Sequence, residues 1–222
     1  MKPATALALS LFVAASIMRG LWAQSPQGDV FRHPLKPENL NAFSLTCARL
    51  ANHPFIKGNF EQEKILNRLN RSLKSSGNFV IAAELGMIWD TTSPFPSTLV
   101  LGNDYLIQSR PGGQKTVMSA QGNETFIRLA EVISTVFSGH ARGLLDNFEV
   151  FYFGNAAAWE LGLFPLHRAI GSFAERIVMK GDTAIRYIEI HEKSGDIIKY
   201  ILSNHSYPTE LNVSEKALFS FP

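Results

Sequence analysis

The chain has 222 residues and a formal charge of +2, from 21 Lys and Arg against 19 Asp and Glu. So even a balance excludes the strong positive field of a nucleic-acid binder. A single cysteine, Cys47, excludes an intrachain disulfide, so 45% hydrophobic composition with 16 Phe must hold the fold by its core.

Met1 and Lys2 precede an apolar stretch from Ala4 to Met18, and Arg19-Gly20-Leu21-Trp22-Ala23 leads into the polar run Gln24-Ser25-Pro26-Gln27-Gly28. Residues 1–23 read as a signal peptide cut near Ala23, because the apolar core is short for a membrane span. This predicts an exported protein with no lipidated cysteine at the cut. Residues 24–36 read as a polar linker, and 37–222 as a single domain.

Pro37-Glu38 suits the first turn of a helix, where a missing N–H is harmless and a carboxylate meets the positive dipole end. Leu40, Phe43, Cys47 and Leu50 follow on one face, Cys47 as a buried small hydrophobe, and Pro54 ends the element. Short segments with turn signals come next. The predicted strands are Ile56–Leu69, Gly77–Ala83, Met87–Asp90, Thr98–Leu101, Tyr105–Ser109 and Lys115–Met118. Residues 123–139 read as a second helix, with Phe126, Leu129, Ile133 and Phe137 on one stripe. Strands return at Asn147–Phe153, Ala158–Phe164, Ala174–Lys180, Ala184–His191 and Ile197–Ser203, with a hairpin turn at Lys193-Ser194-Gly195-Asp196. The tail, 204–222, has no strong pattern.

A half-exposed antiparallel strand alternates apolar and polar residues. Several strands here do not. Phe148, Val150 and Tyr152 oppose Phe151 and Phe153; Trp159, Leu161 and Leu163 oppose Phe164. Ile185 and Tyr187 oppose Ile188 and Ile190; Ile197 and Ile201 oppose Ile198, Tyr200 and Leu202. Two readings fit. Either helices cover one face and loops or a partner the other, or a curved sheet wraps an apolar cavity under a helical lid.

The run Gly58-Asn59-Phe60-Glu61-Gln62 resembles the first-strand Phe-x-Gln segment of the LolA-like lipoprotein carriers. Gly77-Asn78-Phe79, followed by Gly86-Met87-Ile88-Trp89 and Pro94-Phe95, is similar to that family's glycine strand and tryptophan strand. Trp159-Glu160-Leu161-Gly162-Leu163-Phe164-Pro165 is similar to its Trp-x-Leu-x-x-x-Pro strand, and Gly195-Asp196 fits its last hairpin. The resemblance spans roughly residues 40–203. It implies an α+β fold: an unclosed antiparallel β-barrel of about eleven strands, with a helical lid over a hydrophobic cavity. It further implies a periplasmic, non-enzymatic carrier that takes the acyl chains of lipoproteins, or a related lipid, from an inner-membrane exporter of ABC or related type to an outer-membrane acceptor. In that family an Arg-Pro pair closes the lid. Here Ala82-Ala83-Glu84-Leu85 stands instead, which marks a divergent branch and leaves Glu84 as a weak candidate for the lid contact.

On this reading Phe60, Phe79, Met87, Trp89, Leu99, Tyr105 and Ile107 line the cavity wall, and Leu129, Ile133, Val136 and Phe137 the lid. Plain core is an equal reading for each. No Gly-x-Ser-x-Gly, Ser-x-x-Lys, His-Glu-x-x-His or P-loop pattern occurs, and the six histidines are scattered. His191-Glu192 reads as a turn approach. The expectation is a monomer without catalytic residues, metal or cofactor, binding lipid and no nucleic acid. The alternative is an envelope assembly or interaction module without lipid cargo.

Overall fold

The computed structural model describes residues 29–103, 105–113, 115–119, 135 and 140–220. The signal-peptide residues 1–23 and the stripe Leu129, Ile133, Val136 and Phe137 lie outside them. Eleven antiparallel strands form one sheet: β1 (Phe55–Leu66), β2 (Arg71–Ala82), β3 (Gly86–Ser93), β4 (Ser97–Leu101), β5 (Tyr105–Ser109), β6 (Thr116–Ser119), β7 (Phe148–Asn155), β8 (Ala158–Pro165), β9 (Ala174–Gly181), β10 (Ile185–Glu192) and β11 (Ile197–Ser206). Their order is β6-β5-β4-β3-β2-β1-β11-β10-β9-β8-β7. The first and last strands therefore pair at the centre. The ends, β6 and β7, do not pair with each other, so the barrel is unclosed.

Cross-strand pairs share a face, which allows the inner surface to be traced across the sheet. Leu163 and Leu161 on β8 pair with Val150 and Tyr152 on β7 and with Ile177 and Met179 on β9. Met179 pairs with Ile188, Ile188 with Tyr200, Leu202 with Phe60, Phe79 with Trp89 and Trp89 with Leu99. This face holds the main core, whose residues include Leu161 and Leu163 at 0% exposure. Helix α1 (Pro37–Leu50) lies against it through Phe43, Thr46, Cys47 and Leu50. Leu40, read from its spacing as part of that face, is 43% exposed instead. Thr46 takes a share of the contact because its hydroxyl finds Tyr152 Oη at 2.8 Å. Asn39 fastens the other end of α1, its Oδ1 accepting from Lys36 N and its Nδ2 donating to Tyr152 O.

Burial pushes the Cys47 thiol up to about 12. The thiolate is the reacting form, so Cys47 is expected to resist a thiol reagent in the native protein at neutral pH and to react promptly in urea. Equal rates in both states would contradict this packing.

The apolar outer faces have a different explanation, and it corrects two expectations. The first concerns residues 29–36, read as linker. Val30–Arg32 forms a 3-10 turn with Val30 buried. Phe31 packs on Phe151 and Phe164, at ring distances of 5.4 and 4.6 Å. His33 and Leu35 then bond along β7, with Tyr152 N donating to His33 O and Leu35 N to Val150 O. A polar-looking segment is thereby ordered because it caps an edge strand that would otherwise offer unpaired groups.

The second correction concerns the tail. β11 runs on to Ser206, and α4 (Val213–Phe219) follows. Asn212 caps it by accepting from Glu215 N, and Glu215 reaches back to Asn212 N. The tail brings Leu211, Leu218 and Phe219 onto Val80, Ile88, Val100 and Ile107 on the outside of β2–β5. Its apolar residues are too few for a periodic signal, yet they seal an existing patch.

Smaller differences have local causes. The polar stretch Arg71–Ser76 is strand, because β1 and β2 pair along their whole length from Phe55↔Ala82 to Leu66↔Arg71. A register shift between Ile185 and Tyr187 puts Ile185 on the same face as Ile188, against strict alternation. Two short helices escaped the sequence reading, α2 (Ala141–Asn147) and α3 (Arg168–Gly171), which bury Leu144 and Ile170 on the inner face.

Candidate functional site

The inner face changes character between α1 and the β6 end. Phe60 and Phe79, each 1% exposed, form a floor. The Trp89 ring stacks over Phe60 at 4.1 Å and 24°, and lies 6.0 Å from Phe79. Tyr200 meets Trp89 edge-on at 5.4 Å and 87°. Trp89, Leu99, Leu106, Ile190, Ile198 and Tyr200 are only half-buried, so part of the shelf's apolar surface is exposed. Register builds this shelf: Phe79 pairs with Trp89, Trp89 with Leu99, and Gly58 pairs with Phe79. Gly58 is needed there. A Cβ at that position would lie 2.6 Å from the Phe79 ring, which covers the glycine backbone.

Polar groups fringe the shelf. Gln62 pairs with Tyr200 and Lys64 with Ile198, so both point to the inner face. Lys64 Nζ holds Glu192 at 2.8 Å. Burial, and after it the Glu192 carboxylate, push the Tyr200 hydroxyl up to about 12, so it stays neutral. Such a surface offers dispersion contacts and a few hydrogen bonds, which fits an apolar chain better than an ion.

Five of the seven predicted wall residues share this face: Phe60, Phe79, Met87, Trp89 and Leu99. Tyr105 and Ile107 do not. Both are on the outside beneath the tail, where Tyr105 Oη donates to Phe219 O at 2.7 Å and Ile107 is 2% exposed. β5 is apolar on both sides, so its phase is set by pairing: Leu101 pairs with Leu106, which takes the inner position. Tyr200, Ile190 and Ile198 also lie on this face, and the two-faced pattern of their strands is the sequence signal that marks them. Glu84 sits exposed in the β2–β3 turn, its carbonyl accepting from Asn103 Nδ2. Its proposed partner segment lies outside the described residues.

At the opposite end of the inner face is a charged relay. Arg186 Nε donates to Asp182, and Arg186 Nη1 donates to His205 Nδ1 at 2.9 Å. His205 rests edge-on against Phe79 at 5.7 Å. Burial opposes ionisation of Asp182, but hydrogen bonds from Ala184 N and Arg186 outweigh it and hold the carboxyl below the usual range. Burial, then Arg186, hold His205 below the ordinary 6.5. Below pH 6.5 the unfolded chain therefore takes up a proton that the folded imidazole refuses. Stability falls with pH through the window from 6.5 down to the lowered value. Tm is expected to drop from about pH 7.5 to about pH 5.5, and His205→Gln to flatten that slope. An unchanged slope in the variant would exclude His205 as the source.

Among the described residues no group of three His, Cys, Asp or Glu could hold a metal ion. No described helix is long and apolar enough to cross a membrane.

No family model and no curated protein matches the sequence. Solved structures of similar shape include a LolA superfamily protein from Nitrosomonas europaea, at 9% identity and TM-score 0.46, covering 81% of this chain and 98% of that one. Lipoprotein LppX of Mycobacterium tuberculosis is similar at 10% identity and TM-score 0.45, over 80% of this chain and 100% of its own. The MucA/MucB complex structure from Pseudomonas aeruginosa matches at 10% identity and TM-score 0.45, over 79% of this chain and 60% of that one.

Proposed function

We propose that this chain is a periplasmic carrier that shields the acyl chains of lipoproteins, or of a related lipid, between the inner and outer membranes. The supporting observation is the aromatic shelf on the inner face of an unclosed barrel, where half-buried Trp89 and Tyr200 stand over the buried floor of Phe60 and Phe79. Each methylene kept from water is worth roughly 0.8 kcal/mol, so an unshielded chain of about 16 carbons would cost on the order of 10 kcal/mol to move through water. Apolar contacts are non-directional and let such a chain slide. Met87 adds a side chain that adapts to varied shapes. The donor is an inner-membrane exporter of ABC or related type, the acceptor sits at the outer membrane, and the stripe Leu129, Ile133, Val136 and Phe137 serves as lid. The carrier works as a monomer and performs no chemistry on its cargo.

Mass spectrometry of organic extracts from protein purified out of its native envelope tests this. A bound acylated species is the expected result. In a Trp159→Phe background, that lipid should shift the emission of Trp89, since Trp159 is a second fluorophore fixed by its bond to Asp182 O. Extracts free of lipid, together with unchanged emission on adding lipid, would sink the proposal. A stoichiometric protein partner in their place would favour an assembly module.

A further inference from the structure

Two neighbouring features lie where the α1 C-terminus meets the barrel. Inside is a void of about 20 Å³, with Leu50, Ile56, Ile81, Ile185, Leu202 and Phe79 in its wall. Outside is a groove of about 350 Å³ along Leu45, Ala48, Arg49 and Asn52. His53 and Thr183 line both, so they form the partition. Tyr207 also lines the void, and its ring stacks on His53 at 3.9 Å and 25°. On the inner side, Phe79 connects the void to Trp89 and so to the shelf. Apolar side chains, with His205 beside them, thus lead from the partition to Phe79 and the aromatic shelf.

The groove has a charge preference. Of its lining residues, Arg49 is the one Lys, Arg, Asp or Glu; Asn52, Thr183 and His53 add polar groups. The α1 C-terminus contributes only about half a negative charge there, less than the guanidinium supplies. Arg49 Nη1 donates to Ala156 O, which holds the head at the groove.

We infer that this is a portal for a single-chain amphiphile with a carboxylate head. The head seats on Arg49 and Asn52, and the tail passes between His53 and Thr183 toward Phe79. This rests on the carrier reading. A void of about 20 Å³ has room for little more than one water-sized sphere. The path is therefore closed at rest and opens when the His53–Tyr207 stack parts. Tyr207 is 38% exposed and Thr183 is exposed, so opening disturbs surface groups rather than core.

The test titrates the full chain with dansyl-labelled undecanoic acid and with its methyl ester. Arg49→Gln should weaken the acid about tenfold, the loss of one charge-assisted hydrogen bond, and leave the ester within about twofold. Thr183→Trp should block both probes. Arg49 and Thr183 are exposed, so neither change threatens folding. If the wild type binds both probes and the two variants match it, the portal is overturned and the carrier reading stands. Equal weakening of acid and ester by Arg49→Gln overturns the head-group assignment. If the wild type binds neither probe while native extracts contain lipid, the portal alone fails. If native extracts are also empty, both readings fail.

Discussion

Ending the chain after Ser206 is expected to leave a protein that is barely folded and aggregates. The truncation keeps β11 whole but removes Leu211, Leu218 and Phe219 from the outer apolar cluster. A fully buried side chain of this kind contributes roughly 1.5–3 kcal/mol. Leu211 is 2% exposed, whereas Leu218 and Phe219 are only partly buried. Their combined loss is therefore about 4–6 kcal/mol. A domain has only about 5–15 kcal/mol in total. Val80, Ile88, Val100 and Ile107 would also face water as one continuous patch, and such patches drive association. The ion pair between Lys57 and Glu215, 2.6 Å long with side chains 25% and 16% exposed, should matter less. Lys57→Ala is expected to cost about 1 kcal/mol or less. Urea unfolding and dye binding to exposed apolar surface measure both effects. A truncated chain with the wild-type midpoint and no dye binding would show that the tail is dispensable.

Gly58→Val should cost about 1–3 kcal/mol and disrupt the aromatic shelf as well. The new Cβ would lie 2.6 Å from the Phe79 ring and 2.7 Å from the Ser203 carbonyl oxygen. Neither neighbour can retreat cheaply. The carbonyl belongs to the β11 backbone, and Phe79 is held by Trp89 at 6.0 Å and His205 at 5.7 Å. Strain released by moving the ring would therefore reach Trp89, whose near-UV circular dichroism and emission should both change. A control at Gly113, where the nearest atoms to a Cβ are 3.5 Å away, should leave both signals intact. A folded Gly58→Val protein with unaltered Trp89 signals would refute the covering of Gly58 by Phe79.

The glycine and aromatic positions illustrate how far local signals reach. Gly58, Phe79 and Trp89 stand in recognisable motifs, and all three fall on the strands those motifs suggested. Gly162 behaves similarly on the outside, where a Cβ would come within 2.8 Å of the Phe31 ring. Nothing in the sequence near Gly162 announces that contact, because Phe31 arrives from a segment far along the chain. Thr46 is a second such case. As a polar residue it weakens the helix stripe, and only its bond to Tyr152 Oη explains its 1% exposure.

The amino-acid sequence alone determined the succession of α1 and eleven strands, the hairpin at Gly195, and the two-faced apolar strands. These are local matters of periodicity, turn chemistry and side-chain type. Tertiary structure alone decided which apolar face looks inward. A shift of one residue moves every side chain to the other face, and pairing partners fix that phase. Leu106 therefore faces inward, while Tyr105 and Ile107 face the tail. Tertiary structure also decided what covers the outer faces. The segment around Phe31 and the helix after Ser206 carry too few apolar residues to be read as core, and they become core only because the sheet already presents surfaces that exclude water when they dock.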